Sequence, residues 1–247
     1  MANEIFSRTA MLAGLDGFER LQSTRVIIFG LGGVGSWAAE AMIRSGIGHL
    51  TMVDADVVAP SNINRQLPAL HSTIGQPKTD VMLQRLRDIN PEADIVAINA
   101  LYTTETADNF DLDSFDYVID AIDSLSDKAL LILRATASRA RLFSSMGAAL
   151  KMDPEKISVA EFWKVTGCPL AAALRRKFKK SGHLPRRKFK CVYSPELLPN
   201  HPEAAEGVND VAMKFGKVAT NGAMMHITAT FGMMLASLVI RDRVSSR

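Results

Sequence analysis

The sequence predicts an α/β fold on a doubly wound, mostly parallel sheet, continued by a C-terminal extension. Three observations carry this. Short apolar runs alternate with amphipathic stretches from Arg25 to about Ala149. A glycine turn, Gly30-Leu31-Gly32-Gly33-Val34-Gly35, separates the first run from the first such stretch. Beyond residue 150 the alternation gives way to prolines, a dense run of cations and a long apolar helix pattern. A β-α-β-α order covers parallel strands with helices on both faces and gathers ligands at the strands' carboxyl ends.

The elements follow in order. Apolar runs at 26–29, 50–53, 95–98, 117–119 and 142–146 read as buried strands. Met82, Leu86 and Ile89 recur at helical spacing after Gln76-Pro77. Ser124 to Ala140 is also helical in pattern, with Leu130, Leu133 and Ala137 on one face. Lys156 to Phe162 alternates like a strand after a turn at Asp153-Pro154. Residues 166–216 carry five prolines and the basic run, which predicts a helix near Pro169–Lys180 and then a long loop. The expected organisation is a core at 1–150 and an extension at 151–247 packed on it. The extension holds antiparallel strands, a basic helix and loop (169–216) expected to contact the substrate, and a final apolar helix (218–241).

A chain of 247 residues, 47% hydrophobic, buries a substantial core. The net charge of +3 conceals a strong asymmetry. Residues 175–190 hold nine cations and no acid, which leaves the remainder net acidic. Cys168 and Cys191 form no C-x-x-C pair, which excludes a four-thiolate zinc site within the chain and fits a reducing cytoplasm. Met1-Ala2-Asn3-Glu4 has no signal-peptide character. Gly222–Ile240 is long enough to span a bilayer. It also carries His226, Thr228, Thr230, Ser237 and two glycines, so a buried core or dimer-interface helix is the preferred reading. Peripheral membrane association, aided by Arg241, Arg243 and Arg247, is the alternative.

The chemistry starts at the glycine turn. Strand, glycines and helix in that order form a Rossmann-like phosphate cradle. Gly30 permits the tight turn, Gly32 admits a phosphate close to the backbone, and Gly35 lets helix and strand meet. The helix N-terminus presents N–H groups to the anion. Asp54 ends the second strand and suits ribose hydroxyls, which alone does not separate NAD from ATP. Asn62-Ile63-Asn64-Arg65-Gln66 adds a guanidinium and amides, and Lys78 opens the next helix. Two cations beside a cradle suit a triphosphate, whose leaving pyrophosphate gathers charge. Asp123, past the fourth strand, is placed to hold Mg²⁺ together with phosphate oxygens. Asp120 is either part of this set or a local cap for nearby N–H groups.

These motifs resemble the ThiF/MoeB-type branch of the ubiquitin-activating-enzyme superfamily. The likeness rests on Gly30–Trp37, Val53–Asp56, Asn62–Gln66, Lys78 and Asp120–Ser124. A narrower likeness is to the tRNA threonylcarbamoyladenosine dehydratases. It rests on Gly33–Ala41, Arg44–Gly48, Pro169–Ala172, Cys191–Ser194 and Thr228–Gly232. The resemblance implies ATP-dependent adenylation of a carboxylate, followed by ring closure of threonylcarbamoyladenosine in tRNA. It implies that Gly32, Gly33 and Gly35 hold phosphates, that Asp54 binds ribose, that Asn62, Arg65 and Lys78 contact phosphates, and that Asp123 binds Mg²⁺. Arg8 resembles the arginine that the superfamily sends into a dimer partner's ATP site. A homodimer, a tRNA substrate and a sulfur-relay partner are the implied associations. Cys168 stands where the dehydratases carry an acid, and Cys191 reads as a packed structural thiol or a redox one. The rival readings are an adenylase of a small sulfur-carrier protein's C-terminus and a non-catalytic nucleotide-sensing scaffold. An NAD-dependent dehydrogenase would leave Arg65, Lys78 and Asp123 without a role.

Overall fold

The structure, a computed structural model, describes residues 4–201 and 221–245. Its strands are β1 (Arg25–Phe29), β2 (His49–Val53), β3 (Asp94–Ile98), β4 (Tyr117–Asp120), β5 (Arg141–Ser145), β6 (Ser158–Glu161) and β7 (Lys190–Tyr193). Its α-helices are α1 (Ser7–Ala13), α2 (Leu15–Gln22), α3 (Gly35–Arg44), α4 (Lys78–Ile89), α5 (Leu125–Ala137), α6 (Pro169–Ser181) and α7 (Met225–Ser245). The strands form one sheet in the order β3-β2-β1-β4-β5-β7-β6. All neighbours are parallel except β6 and β7, where Ser158 faces Tyr193 and Glu161 faces Lys190. The order reverses between β1 and β4, which makes the crevice outside those two strand ends the switch point where ligands gather.

Both faces of the sheet are covered. Val26 and Ile28 of β1 join the core beneath α3, α4 and α7, while Ile27 and Phe29 join the core with α5 and α6. That two-sided burial is why the strands read as continuous apolar runs. α7 lies along α3 and reaches α2. Ile227, Phe231, Leu235 and Val239 recur every four residues along its buried side. Gly232 sets the closeness of that contact: a Cβ there would stand 2.5 Å from the Val34 carbonyl oxygen. Among the described residues no helix is long and apolar enough to cross a membrane. The final helix begins at Met225 and continues to Ser245. Positions 218–220 of its expected span, and 202–216 of the basic segment, lie outside the described residues.

Two features differ from expectation: part of the expected loop is β7, drawn into the sheet parallel to β5, and the buried face of α5 is shifted. In α5, Leu130 and Leu133 are only partly buried and Ala137 is exposed. The buried stripe is Lys128, Leu131, Ile132 and Ala135. That stripe includes Lys128, counted as polar in the pattern, which pairs with a buried acid described below, while Leu130 and Leu133 pack at its margin.

Candidate functional site

The glycine turn is shaped by contacts that exclude side chains. Gly30 adopts φ +93°, and a Cβ there would stand 2.8 Å from the Ala121 carbonyl oxygen. At Gly35 a Cβ would lie 1.8 Å from the Gly30 carbonyl oxygen, so α3 begins directly against the end of β1. At Gly33 it would meet Thr228 of α7 at 3.1 Å and Arg65 Cγ at 3.3 Å. Gly32 is different: its nearest neighbour among the described residues is Gln66 Nε2 at 3.9 Å, so among them this part of the turn is open. Ser36 braces the loop by donating its hydroxyl to the Gly32 carbonyl at 2.7 Å. Among the described residues no side chain caps the start of α3. Its first-turn N–H groups therefore carry the positive end of the helix dipole into this turn.

Asp54, at the end of β2, is tied to the same turn. Its Oδ2 accepts the Leu31 N–H at 2.5 Å and its Oδ1 accepts the Asp56 N–H at 2.8 Å. Burial raises its carboxyl above the ordinary value, opposed by Lys78 and by these two N–H bonds. Lys78 is buried at the start of α4, with Nζ 2.7 Å from Asp56 Oδ2. Asp56 received no role from the sequence, although its place two residues after Asp54 was visible. The Arg65 guanidinium donates to the Ser61 carbonyl and to Asn64 Oδ1, both at 2.8 Å. Asn62 uses its amide oxygen to accept the Ala59 N–H at 3.0 Å, which closes the short turn Pro60–Asn62. Gln66 is buried and its Oε1 has no hydrogen-bond partner among the described residues. A buried orphan acceptor beside the open Gly32, at the start of a helix whose first N–H groups face the turn, fits a nucleotide.

The β4–α5 loop is pinned against this cradle from beneath. Ala121 Cβ stands 3.2 Å from where a Gly35 Cβ would be. Asp120 and Lys128 are both fully buried and form an ion pair at 2.9 Å. Asp120 also accepts the Ser144 hydroxyl at 2.7 Å and the Ile122 N–H at 3.2 Å. Lys128 donates in addition to the Ile122 carbonyl at 2.9 Å. Asp120 is thus a structural anchor, and Lys128 is the partner that its sequence gave no sign of. Asp123 follows the anchored stretch and is exposed. Among the described residues no three His, Cys, Asp or Glu side chains cluster as a metal cage. One carboxylate completed by phosphate oxygens and waters is a set that Mg²⁺ accepts.

Other expected residues lie apart. Arg8 is exposed on α1, which packs on α2 through Phe6, Ala10 and Phe18. Among the described residues no hydrogen bond or ion pair joins Arg8 to the cradle of its own chain. The basic run divides. Arg175 donates to the Phe162 and Val165 carbonyls and lies over the Phe162 ring. Arg187 donates to the carbonyls of Thr136 at 3.0 Å, Ala135 at 3.1 Å and Ala140 at 2.7 Å, and also to that of Ser138. It closes the C-terminal end of α5. Because β7 runs parallel to β5, the chain that leads into Lys190 sits at the amino ends of the strands, away from the cradle. Cys168 and Cys191 are buried free thiols, and burial pushes the Cys191 thiol well above its usual range.

Residues 6–241 match the ThiF family, and the chain belongs to it. It is 45% identical to the tRNA threonylcarbamoyladenosine dehydratase of Bacillus subtilis over 72% of this chain and 70% of that protein. It is 39% identical to the Haemophilus influenzae protein of the same name, over 91% and 87%. The crystal structure of the Escherichia coli tRNA N6-threonylcarbamoyladenosine dehydratase in complex with ATP is 34% identical. It superposes with a TM-score of 0.83 over 96% of this chain and 93% of that one.

Proposed function

We propose that the chain uses ATP to activate the carboxylate of threonylcarbamoyladenosine in tRNA and then closes that nucleoside to its cyclic form with loss of water. The single observation that carries this is the near full-length likeness, in sequence and fold, to a dehydratase that holds ATP. In this reading residues 1–150 are the adenylation core and 151–247 an extension packed on it.

The substrate carboxylate oxygen bonds to the α-phosphorus, pyrophosphate leaves, and the substrate's own carbamoyl group then displaces AMP from the activated carbonyl. The chain supplies the setting. Asp54, ionised, accepts from the ribose hydroxyls. The open backbone at Gly32, with Gly33 and Gly35, takes phosphate oxygens at the start of α3. Lys78 exchanges Asp56, and Arg65 the Ser61 carbonyl, for phosphate oxygens, and their charge offsets what builds on the leaving pyrophosphate. Asn62 holds the turn that presents Arg65. Asp123 would hold Mg²⁺, which supplies Lewis-acid stabilisation of the phosphates. No protein nucleophile is needed, because the attacking group is tethered to its target. The buried thiols agree with that, since the Cys191 thiol is held protonated.

The active assembly is a homodimer in this proposal. Met11 and Leu12 on α1 are 84% and 92% exposed, an apolar edge beside Arg8 that suits a second copy. Arg8 then serves the partner's site. A cytoplasmic setting suits the free thiols, and a sulfur-relay protein is a further candidate associate. Pyrophosphate exchange tests the substrate. Exchange that depends on tRNA bearing the modified adenosine supports this reading; exchange that depends on a sulfur-carrier protein would replace it.

A further inference from the structure

Two clefts open at the amino ends of the strands, opposite the cradle. They share Arg141, at the start of β5, and Asp242, near the end of α7. These two side chains are ion-paired, and the Tyr117 hydroxyl donates to Asp242 at 2.6 Å. The first cleft is balanced in charge, with Arg139, Arg141 and Arg243 against Asp113, Asp116 and Asp242. The second, of about 690 Å³, is not. Its walls carry Arg141, Arg187, Lys188, Lys190 and Arg241, and among the described residues its one acid is Asp242. Lys188, Lys190 and Arg241 are exposed and have no carboxylate partner among the described residues. They stand on two separate elements, the β7 segment and α7, around a floor that includes Phe143 and Phe189. Arg187 is held by the end of α5 and fixes the rim.

We infer that this cationic groove binds the phosphodiester backbone of the RNA substrate, outside the nucleoside that enters the cradle. The inference rests on the tRNA reading above and adds a second contact to it. Cations on separate elements suit a row of phosphates better than one compact anion, whose donors would converge. The groove and the cradle lie at opposite ends of strands of five residues, about 17 Å at 3.3 Å per residue. A polyanion of RNA's length spans that; a nucleotide does not. The arrangement separates holding the substrate from reacting with it.

The test is binding and turnover of full-length tRNA by the intact protein and by Lys188→Ala/Lys190→Ala/Arg241→Ala. Arg176→Ala/Lys177→Ala/Lys180→Ala, on the exposed side of α6, is the charge-matched control. Loss of three phosphate contacts should weaken tRNA binding at least tenfold at about 0.1 M salt. It should also reduce the slope of log K against log salt by about two to three. KM for tRNA should rise, with kcat at saturating tRNA and KM for ATP unchanged. Equal binding by the triple variant overturns the inference, as does an equal loss in the control. Retained tRNA binding with lost binding to an acidic protein or to anionic vesicles also overturns it. A wild-type protein that turns over tRNA beside an unaffected triple variant sinks the groove alone. A wild-type protein that releases no AMP with tRNA sinks the reading beneath it as well.

Discussion

The two ends of the sheet handle charge in opposite ways. At the carboxyl ends, Lys78 is buried against Asp56, Arg65 is folded onto its own loop, and the backbone of the glycine turn is what lies open. At the amino ends, Lys188, Lys190 and Arg241 stand in solvent and two other arginines are consumed by carbonyls. A site that must stabilise charge at one point is preorganised and partly dry, whereas a surface that collects a polyanion needs only spread cations. The difference teaches that cation density in the sequence is a poor guide to where the chemistry lies.

Breaking the cradle should have the largest effects. Gly35→Ala places a methyl 1.8 Å from the Gly30 carbonyl oxygen. It should destabilise the fold by about 3 kcal/mol or more, as strong overpacking does, measured by denaturant unfolding. Gly32→Ala meets only the Gln66 amide, at 3.9 Å. It should keep the wild-type midpoint and lose ATP affinity, a contrast that calorimetry would show. If both variants unfold alike, the open face of the turn has been misplaced. Lys128→Met removes one partner of a fully buried pair. It should cost about 3–5 kcal/mol, and adding Asp120→Asn should recover part of that. A Lys128→Met protein as stable as wild type would remove the anchor beneath Asp123.

The cradle was legible because its grammar is local. Gly30, Gly35 and Asp54 sit at fixed distances from strand ends, and the apolar runs gave all five strands of the core to within a residue or two. What escaped depends on tertiary contact. Lys128 counts as polar in any pattern, yet it is fully buried against Asp120 and belongs to the buried stripe of α5. Arg187 and Arg175 look like members of one cationic run, and only the positions of α5 and Phe162 take them out of it. Thr228 stood in a recognised motif, but its place under Gly33 follows from the packing of α7 on α3.

Smaller effects sharpen the comparison. Arg187→Ala should lower stability by about 1–3 kcal/mol through the uncapped α5 carbonyls while leaving the salt slope for tRNA nearly unchanged. A fall in slope equal to that of the groove variant would place Arg187 among the free cations. The cradle should also respond to pH. Asp54 has its folded value raised by burial, so its contribution to stability is full below the ordinary carboxylate value and is lost as pH rises through the raised one. In the proposed role Asp54 accepts from the ribose in its ionised form, so ATP affinity should rise across that same window. Asp54→Asn should flatten the rise; an unaltered profile would assign the titration elsewhere.

The central claim is that this chain dehydrates a tRNA nucleoside at the cost of ATP. Mass spectrometry of nucleosides, after modified tRNA is incubated with the protein and ATP, measures it directly. The account predicts loss of one water from threonylcarbamoyladenosine with wild type, and none with Asp123→Ala, which should keep its fold because Asp123 is exposed. An unchanged nucleoside with the wild-type protein, or full conversion by Asp123→Ala, would contradict it.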